Sequence, residues 1–129
     1  MADVVYHISP SLVQSNGLKS EFISRDKEVV TKYASDSLNH DRISLRSYVF
    51  IRDAGEYAIH NASEIKTPML VLHGNGDQIT SLKASNEFAL RAGSFATFKE
   101  WEHLYHETHN EPENDQVFDY IFQWVNKLI

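Results

Sequence analysis

The sequence PMLVLHGNGD, residues 68–77, is the stretch from which the fold of this 129-residue chain is best predicted. A continuous apolar run bounded by a proline and by glycines is typical of a strand that is buried on both faces in a parallel sheet. The turn after the run presents a single carboxylate, that of Asp77. Because ligands of open α/β sheets bind beyond the carboxyl ends of the strands, we expect the chemistry of the protein at this turn.

Apolar spacing and capping residues predict the elements around this strand. A second strand, Ala96–Trp101, is expected to run parallel to the first at Met69–Leu72. Residues 1–39 contain Pro10, Asn16-Gly17 and several serines, which predict short helices joined by turns. Longer helices are predicted from Ser24–Asp26 to about Ser35, from Ile43 to about Ala62, from Ser81 to Ala92 with Gly93 as a left-handed cap, and from about Pro112 onward.

Composition excludes several classes of function. The formal net charge is −6 and no cluster of lysine and arginine is present, so nucleic-acid binding is not expected. The chain has no cysteine, which excludes disulfides, thiolate zinc sites and a cysteine nucleophile. The first residues lack the pattern of a signal peptide, and no apolar run reaches the length of a membrane helix. A single cytoplasmic domain without a transmembrane segment is the expectation.

Several motifs resemble the lipases and lysophospholipases of the α/β-hydrolase fold. TPMLVLHGNGDQIT and FKEWEHLYHETHNEPE, followed by an amphipathic last helix, are similar to the C-terminal half of that fold, and most closely to monoacylglycerol lipases. The upstream motifs NGL, SRD and DSLNHDRIS are similar to the cap that these lipases carry. The resemblance implies a truncated α/β-hydrolase fold within one domain: residues 1–45 would form a helical cap-like segment, and residues 46–129 a β-α-β-α core with a small parallel sheet.

The resemblance also implies catalytic residues. In this fold the triad follows the order serine, acid, histidine, with the serine in a G-x-S-x-G turn. Asp77 matches the acid and His106 matches the histidine, so that His106, and not His73, His103 or His109, is expected to face Asp77. No G-x-S-x-G occurs in the 129 residues. The expectation is therefore the acid–histidine part of a carboxylic-ester hydrolase that is inactive alone. It would act on a lipid ester, without a cofactor or a metal, only when a serine-bearing half complements it.

Each candidate residue has an alternative interpretation. Asp77 could simply form a turn, because aspartate after glycine often bonds to its own backbone. His103, His106 and His109 could be a metal cluster, although a spacing of three residues on a loop scatters the rings. Three other assignments are structural: His73 is expected to be a core histidine, Trp101 and Tyr105 to be packing residues, and Glu111 to be a charge at the start of a helix.

Two expectations concern surfaces. Apolar residues of the leading segment could line an acyl-chain pocket or pack onto the core; they are Tyr6, Ile8, Leu12, Val13, Phe22 and Ile23. A strand as apolar as Met69–Leu72 needs neighbours on both sides, and only one is predicted within this chain. A homodimer is therefore expected, either by pairing this edge with its copy or by exchange of the N-terminal segment. The alternative function is that of a non-catalytic, self-associating or interaction domain derived from a hydrolase.

Overall fold

The computed structural model describes residues 9–129. In chain order, the strands are β1 (Val13–Ser15), β2 (Arg42–Ser44), β3 (Met69–Gly74) and β4 (Ala96–Trp101). The helices are α1 (Lys27–Ser35), α2 (Leu45–His60), α3 (Leu82–Ala92) and α4 (Asn114–Val125), with short 3₁₀ turns between several of the elements.

Strands β3 and β4 form a parallel pair, as predicted. Their register runs from Met69 opposite Ala96 to Gly74 opposite Trp101, and helix α3 lies between them in the chain. The strand that the apolar run predicted over Met69–Leu72 continues for two more residues, so that it ends at Gly74. Because both strands end on the same edge, the loops after Gly74 and after Trp101 lie side by side.

The leading segment differs from the prediction of short helices joined by turns. Strand β1 pairs antiparallel with β2, with Gln14 opposite Ile43, and the backbone N–H of Asn16 donates to the carbonyl oxygen of Asp41. Ile43, predicted to begin a helix, is therefore a strand residue, and α2 begins at Leu45. These residues form paired strands because the ladder gives hydrogen-bond partners to backbone groups that two separate three-residue segments would leave without them.

Side chains at the helix starts explain where three of the helices begin. The carboxylate of Asp26 accepts the N–H of Glu28 at α1, and the hydroxyl of Ser44 accepts the N–H of Ser47 at α2. The hydroxyl of Ser81 does the same for α3. Each cap satisfies a backbone donor that has no partner inside the helix, which stabilises the helix by about 1 kcal/mol. At the other end of α3, Gly93 has a positive φ of 62°.

The buried core joins the leading segment to the parallel sheet. Among residues 9–129 its apolar members are Ile23, Leu45, Val49, Ala62, Ala89, Ala92, Leu104 and Val117. Helix α4 contributes Val117, which is fully buried, and its Trp124 donates an indole N–H to the hydroxyl of Thr97 on β4 at 3.0 Å. The sheet and α4 therefore form one body, which fixes the edge where β3 and β4 end.

Candidate active site

The turn after β3 is held directly against the loop after β4. The backbone N–H groups of Asn75 and Gly76 donate to the carbonyl oxygens of Trp101 and Leu104, each at 2.9 Å. The side chain of Asn75 adds two bonds, one to the Glu100 carboxylate at 2.9 Å and one from the N–H of His103 at 2.7 Å. These contacts hold the two loops together. The bonds that Asn75 makes between them were not predicted from the sequence.

Glycines make this approach possible. A Cβ atom on Gly74 would lie 2.2 Å from the carbonyl oxygen of Leu104, and one on Gly76 would lie 2.9 Å from that of His103. Real Cβ atoms essentially never show contacts under 3.0 Å, and the opposing atoms belong to backbone, which cannot rotate away as a side chain can. Gly74 and Gly76 are therefore required for loop packing rather than for a positive φ, and this was a signal that the sequence contained.

Asp77 and His106 meet at this edge of the sheet. The Nδ1–H of His106 donates to Oδ2 of Asp77 at 3.0 Å. The side chain of Asp77 is only 3% exposed, whereas that of His106 is 33% exposed. Within residues 9–129, Nε2 of His106 has no hydrogen-bond partner. The carboxylate thus fixes which ring nitrogen carries the proton and leaves the other nitrogen able to accept one.

The remaining bonds of Asp77 combine a turn with the histidine contact. Oδ1 accepts the backbone N–H groups of Ile79 at 2.6 Å and Thr80 at 3.2 Å, and Oδ2 accepts the hydroxyl of Thr80 at 2.6 Å. The turn-forming interpretation and the pairing with His106 are therefore both present, on different oxygens of one carboxylate. Thr80 was not among the residues singled out in the sequence.

The pKa of Asp77 lies below its ordinary value of 3.8. Burial by itself would raise this pKa, since it penalises the charged form. Hydrogen bonds from the Thr80 hydroxyl, from His106 and from the two backbone N–H groups act in the opposite direction and outweigh the burial. Asp77 is consequently an ionised carboxylate at neutral pH, as an acid that orients a histidine must be.

A second imidazole lies beside Asp77, and this corrects one prediction. His106 is the nearest imidazole to the carboxylate, as predicted, but His73 was expected not to face it. Nε2 of His73 lies 3.3 Å from Oδ2 of Asp77 without forming a hydrogen bond, while its Nδ1 lies 2.9 Å from the Ser85 hydroxyl. His73 is buried, as expected of a core residue, but it is not fully satisfied there. Strand β3 ends only three residues before Asp77, which brings the side chains together.

Glu111 is not the helix-start charge that was predicted. Helix α4 begins at Asn114, and the side chain of Glu111 is completely buried between the loop after β4 and the leading segment. Its oxygens accept bonds from the backbone N–H of Tyr105 at 2.8 Å and from Arg25. This pairing links residues 86 positions apart, a distance at which the sequence carries no local signal.

Other assigned residues have definite places. Trp101 packs edge-on against the ring of Tyr120, with centroids 5.9 Å apart. Of the apolar residues suggested for an acyl-chain pocket, Tyr6 and Ile8 lie outside the described residues, Ile23 is buried, Phe22 is half-buried, and Leu12 and Val13 are each 46% exposed. His103 and His109 are exposed, and the part of the chain that the structure describes contains no group of three residues arranged to hold a metal ion.

Comparison with known proteins agrees with this geometry. Residues 1–113 match the family described as serine aminopeptidase, S33. The chain belongs to this family. An uncharacterised abhydrolase domain-containing protein of Dictyostelium discoideum is 37% identical over 131 residues, covering all of this chain and 14% of that protein. A monoacylglycerol lipase of Mycolicibacterium smegmatis is 29% identical, covering 97% of this chain and 45% of the lipase.

Two further relatives define the subgroup of the family. Phospholipase YtpA of Bacillus subtilis is 32% identical over 113 residues, covering 86% of this chain and 44% of the phospholipase. The crystal structure of a monoacylglycerol lipase from Paleococcus ferrophilus matches with a TM-score of 0.88 and 34% identity, covering 95% of this chain and 49% of that one. The predicted α/β-hydrolase fold and the predicted resemblance to the monoacylglycerol lipase group are therefore confirmed. The chain spans about half of the solved lipase and less than half of these relatives.

None of the helices formed within residues 9–129 combines the length and the apolar character needed to cross a membrane.

Proposed function

We propose that this chain supplies the acid and the general base of a serine carboxylic-ester hydrolase. The observation that carries the proposal is the bond from His106 Nδ1 to the buried Asp77 carboxylate, with Nε2 of the ring left free among the described residues. In this role Asp77 holds the ring and stabilises the imidazolium that forms when Nε2 takes a proton from a serine hydroxyl. The same proton then passes to the leaving alcohol.

The nucleophile has to come from outside these 129 residues. No G-x-S-x-G occurs in the sequence, and the chain covers about half of the solved monoacylglycerol lipase that it resembles. Strand β3 is where a missing part would join, since β4 is its only neighbour within residues 9–129. We therefore propose that His106 becomes a productive base only after a serine-bearing segment has been placed beside β3.

The proposed substrates are monoacylglycerols or lysophospholipids. The similar proteins include a phospholipase and two monoacylglycerol lipases, and this similarity is the reason for proposing a lipid ester as the substrate. The leading segment, proposed here as the cap, exposes the apolar side chains of Leu12, Val13 and Leu18, each at about the same fraction of 46–47%. An acyl chain is the kind of ligand that would cover such side chains.

Fusion to the serine-bearing part of a monoacylglycerol lipase tests the proposal. The fusion should hydrolyse monoacylglycerol, and His106→Ala should lower kcat by roughly a thousandfold or more, as expected when a triad member is removed. His109→Ala is the matched control, because His109 is an exposed histidine three residues away and should leave turnover unchanged. A fusion that is active but indifferent to His106→Ala would refute the assignment.

A second candidate is a self-associating domain without catalytic activity, and the open edge of β3 favours it. Residues Met69 to Leu72 are only half-buried, and helix α2 exposes the large apolar side chains of Phe50, Ile51 and Tyr57. A two-fold axis would allow the edge to pair with its copy, or the leading segment to be exchanged. Sedimentation at micromolar concentration separates the candidates: a dimer favours self-association, and a strictly monomeric folded chain excludes it. The cytoplasmic location stays a prediction.

A further inference from the structure

The loop that carries His106 is attached to the leading segment by hydrogen bonds on both sides of the histidine. On one side, the backbone N–H of Tyr105 donates to Oε1 of Glu111 at 2.8 Å. On the other, the backbone N–H of Glu107 donates to the carbonyl oxygen of Ile23 at 2.9 Å. The residues immediately before and after His106 are thus held by groups that belong to, or are bound by, residues 23–25.

Glu111 is the centre of this attachment. Its carboxylate is completely buried and also accepts the backbone N–H of Arg25 at 3.2 Å and the Nε–H of Arg25 at 2.9 Å. A second carboxylate, that of Glu113, pairs with the same guanidinium. The Ser24 hydroxyl donates to the carbonyl oxygen of Asn110 at 2.9 Å, which ties the S-R-D motif to the loop at a third point.

A buried carboxylate of this kind is an unusual choice if only stability is needed. Burying a charge is costly, and the partner charge and hydrogen bonds offset that cost but seldom exceed it. Exposed Arg–Glu pairs, such as Arg91 with Glu87 on α3, occur without any such burial. The pair of Arg25 and Glu111 does fix the relative orientation of the two side chains, because the planar guanidinium and the carboxylate match in only a few geometries.

We propose that Arg25 and Glu111 are positioning residues that set the distance between His106 and Asp77. The proposal rests on the function proposed above for His106. It means that the cap-like segment does more than cover a substrate: when residues 23–25 leave the loop after β4, Glu107 loses its bond to Ile23 and Glu111 loses its bonds to Arg25, and His106 is free to move away from the carboxylate. A displacement of about 1 Å at such a site can lower a rate by roughly a hundredfold.

The pKa of Asp77 is a reporter of this distance, because the bond from His106 is one of the causes that lower it. The groups that face the carboxylate are His73, His106 and Thr80, and neither Arg25 nor Glu111 touches it. In the 129-residue chain, ¹³C NMR of the Asp77 carboxyl group should show a higher pKa in Arg25→Lys. This substitution keeps the positive charge but loses the planar fork, so an effect of charge alone would leave the pKa unchanged.

Glu111→Gln provides a second test, because the loss of charge and the loss of the attachment would change the pKa of Asp77 in opposite directions. Removing a negative charge should by itself lower the pKa of a neighbouring carboxyl group, whereas loss of the hold on the loop should raise it. The glutamine can still accept the N–H of Tyr105, so the variant should fold, but its amide N–H groups face the donors of Arg25. Arg91→Lys, which alters an exposed pair of the same type, is the control and should change nothing at Asp77.

The outcomes separate this inference from the function on which it rests. A raised Asp77 pKa in both variants, with unfolding by urea showing that each is folded, supports the positioning role. An unchanged pKa in Arg25→Lys, or a lowered one in Glu111→Gln, overturns it. In the lipase fusion, Arg25→Lys should lower kcat roughly tenfold to a hundredfold with KM little changed. A fusion that needs His106 but whose Asp77 ignores Arg25 would leave the proposed function standing and refute only the inference.

Discussion

Gly74→Ala is expected to separate the two loops that form the site. The new Cβ would lie 2.2 Å from the carbonyl oxygen and 2.5 Å from the carbonyl carbon of Leu104, and real contacts of a Cβ are essentially never shorter than 3.0 Å. The loop after β4 therefore has to retreat. Overpacking of this kind costs about 1–3 kcal/mol, and each hydrogen bond lost between the loops costs about 1 kcal/mol more.

The expected net loss in the free energy of unfolding is about 2–4 kcal/mol. It is reduced slightly because alanine restricts the unfolded chain more than glycine does, an effect of about 0.4–1 kcal/mol. Urea unfolding followed by tryptophan fluorescence measures the change. Gly55→Ala is the matched control: Gly55 lies within α2 with open space around it, and its replacement should stabilise the chain by about 0.5–1 kcal/mol. If Gly74→Ala were as stable as the original chain, the described packing of the loops would be wrong.

Two further predictions concern Asp77. Thr80→Val removes the 2.6 Å hydroxyl bond to Oδ2 and should raise the pKa of Asp77, as measured by ¹³C NMR, whereas Thr31→Val, which loses a hydroxyl bond within α1, should not. Asp77→Asn should destabilise the chain most at pH values above 3.8, because a lowered pKa means that the folded state is stabilised by the ionised form; the difference from the original chain should shrink as the pH falls through the folded-state pKa. A difference that is independent of pH in urea unfolding would contradict the second prediction.

The elements that follow from local chemistry could be predicted from the sequence. Asp26 and Ser81 are capping residues at predicted helix starts, and the helices begin directly after them. The cap at Ser44 was missed, because that helix was expected to begin at Ile43. The apolar run predicted β3, alternation predicted β4, and the helix between them predicted that the two strands run parallel. The β1–β2 pair could not be, because three-residue strands whose side chains are largely exposed carry no apolar period, and their partners lie about 30 positions apart.

In the site, too, individual residues were predicted, whereas contacts between distant parts of the chain were not. Asp77 and His106 were predicted through a family resemblance, and the topology brings both to one edge of the sheet. The bonds that hold them there were missed, since they join distant parts of the chain: Glu111 to Arg25, and Asn75 to Glu100 and His103. His73 was missed as a neighbour of Asp77 because its proximity depends on the path of the turn rather than on residue type.

Hydrolysis of p-nitrophenyl butyrate by the purified 129-residue chain tests the central claim most directly. The chain alone should give no turnover above buffer, and turnover should appear when the serine-bearing half of a monoacylglycerol lipase is added, provided that His106 is intact. Full turnover by the chain alone, abolished by His106→Ala, would contradict the claim, because a nucleophile would then have to lie within these 129 residues.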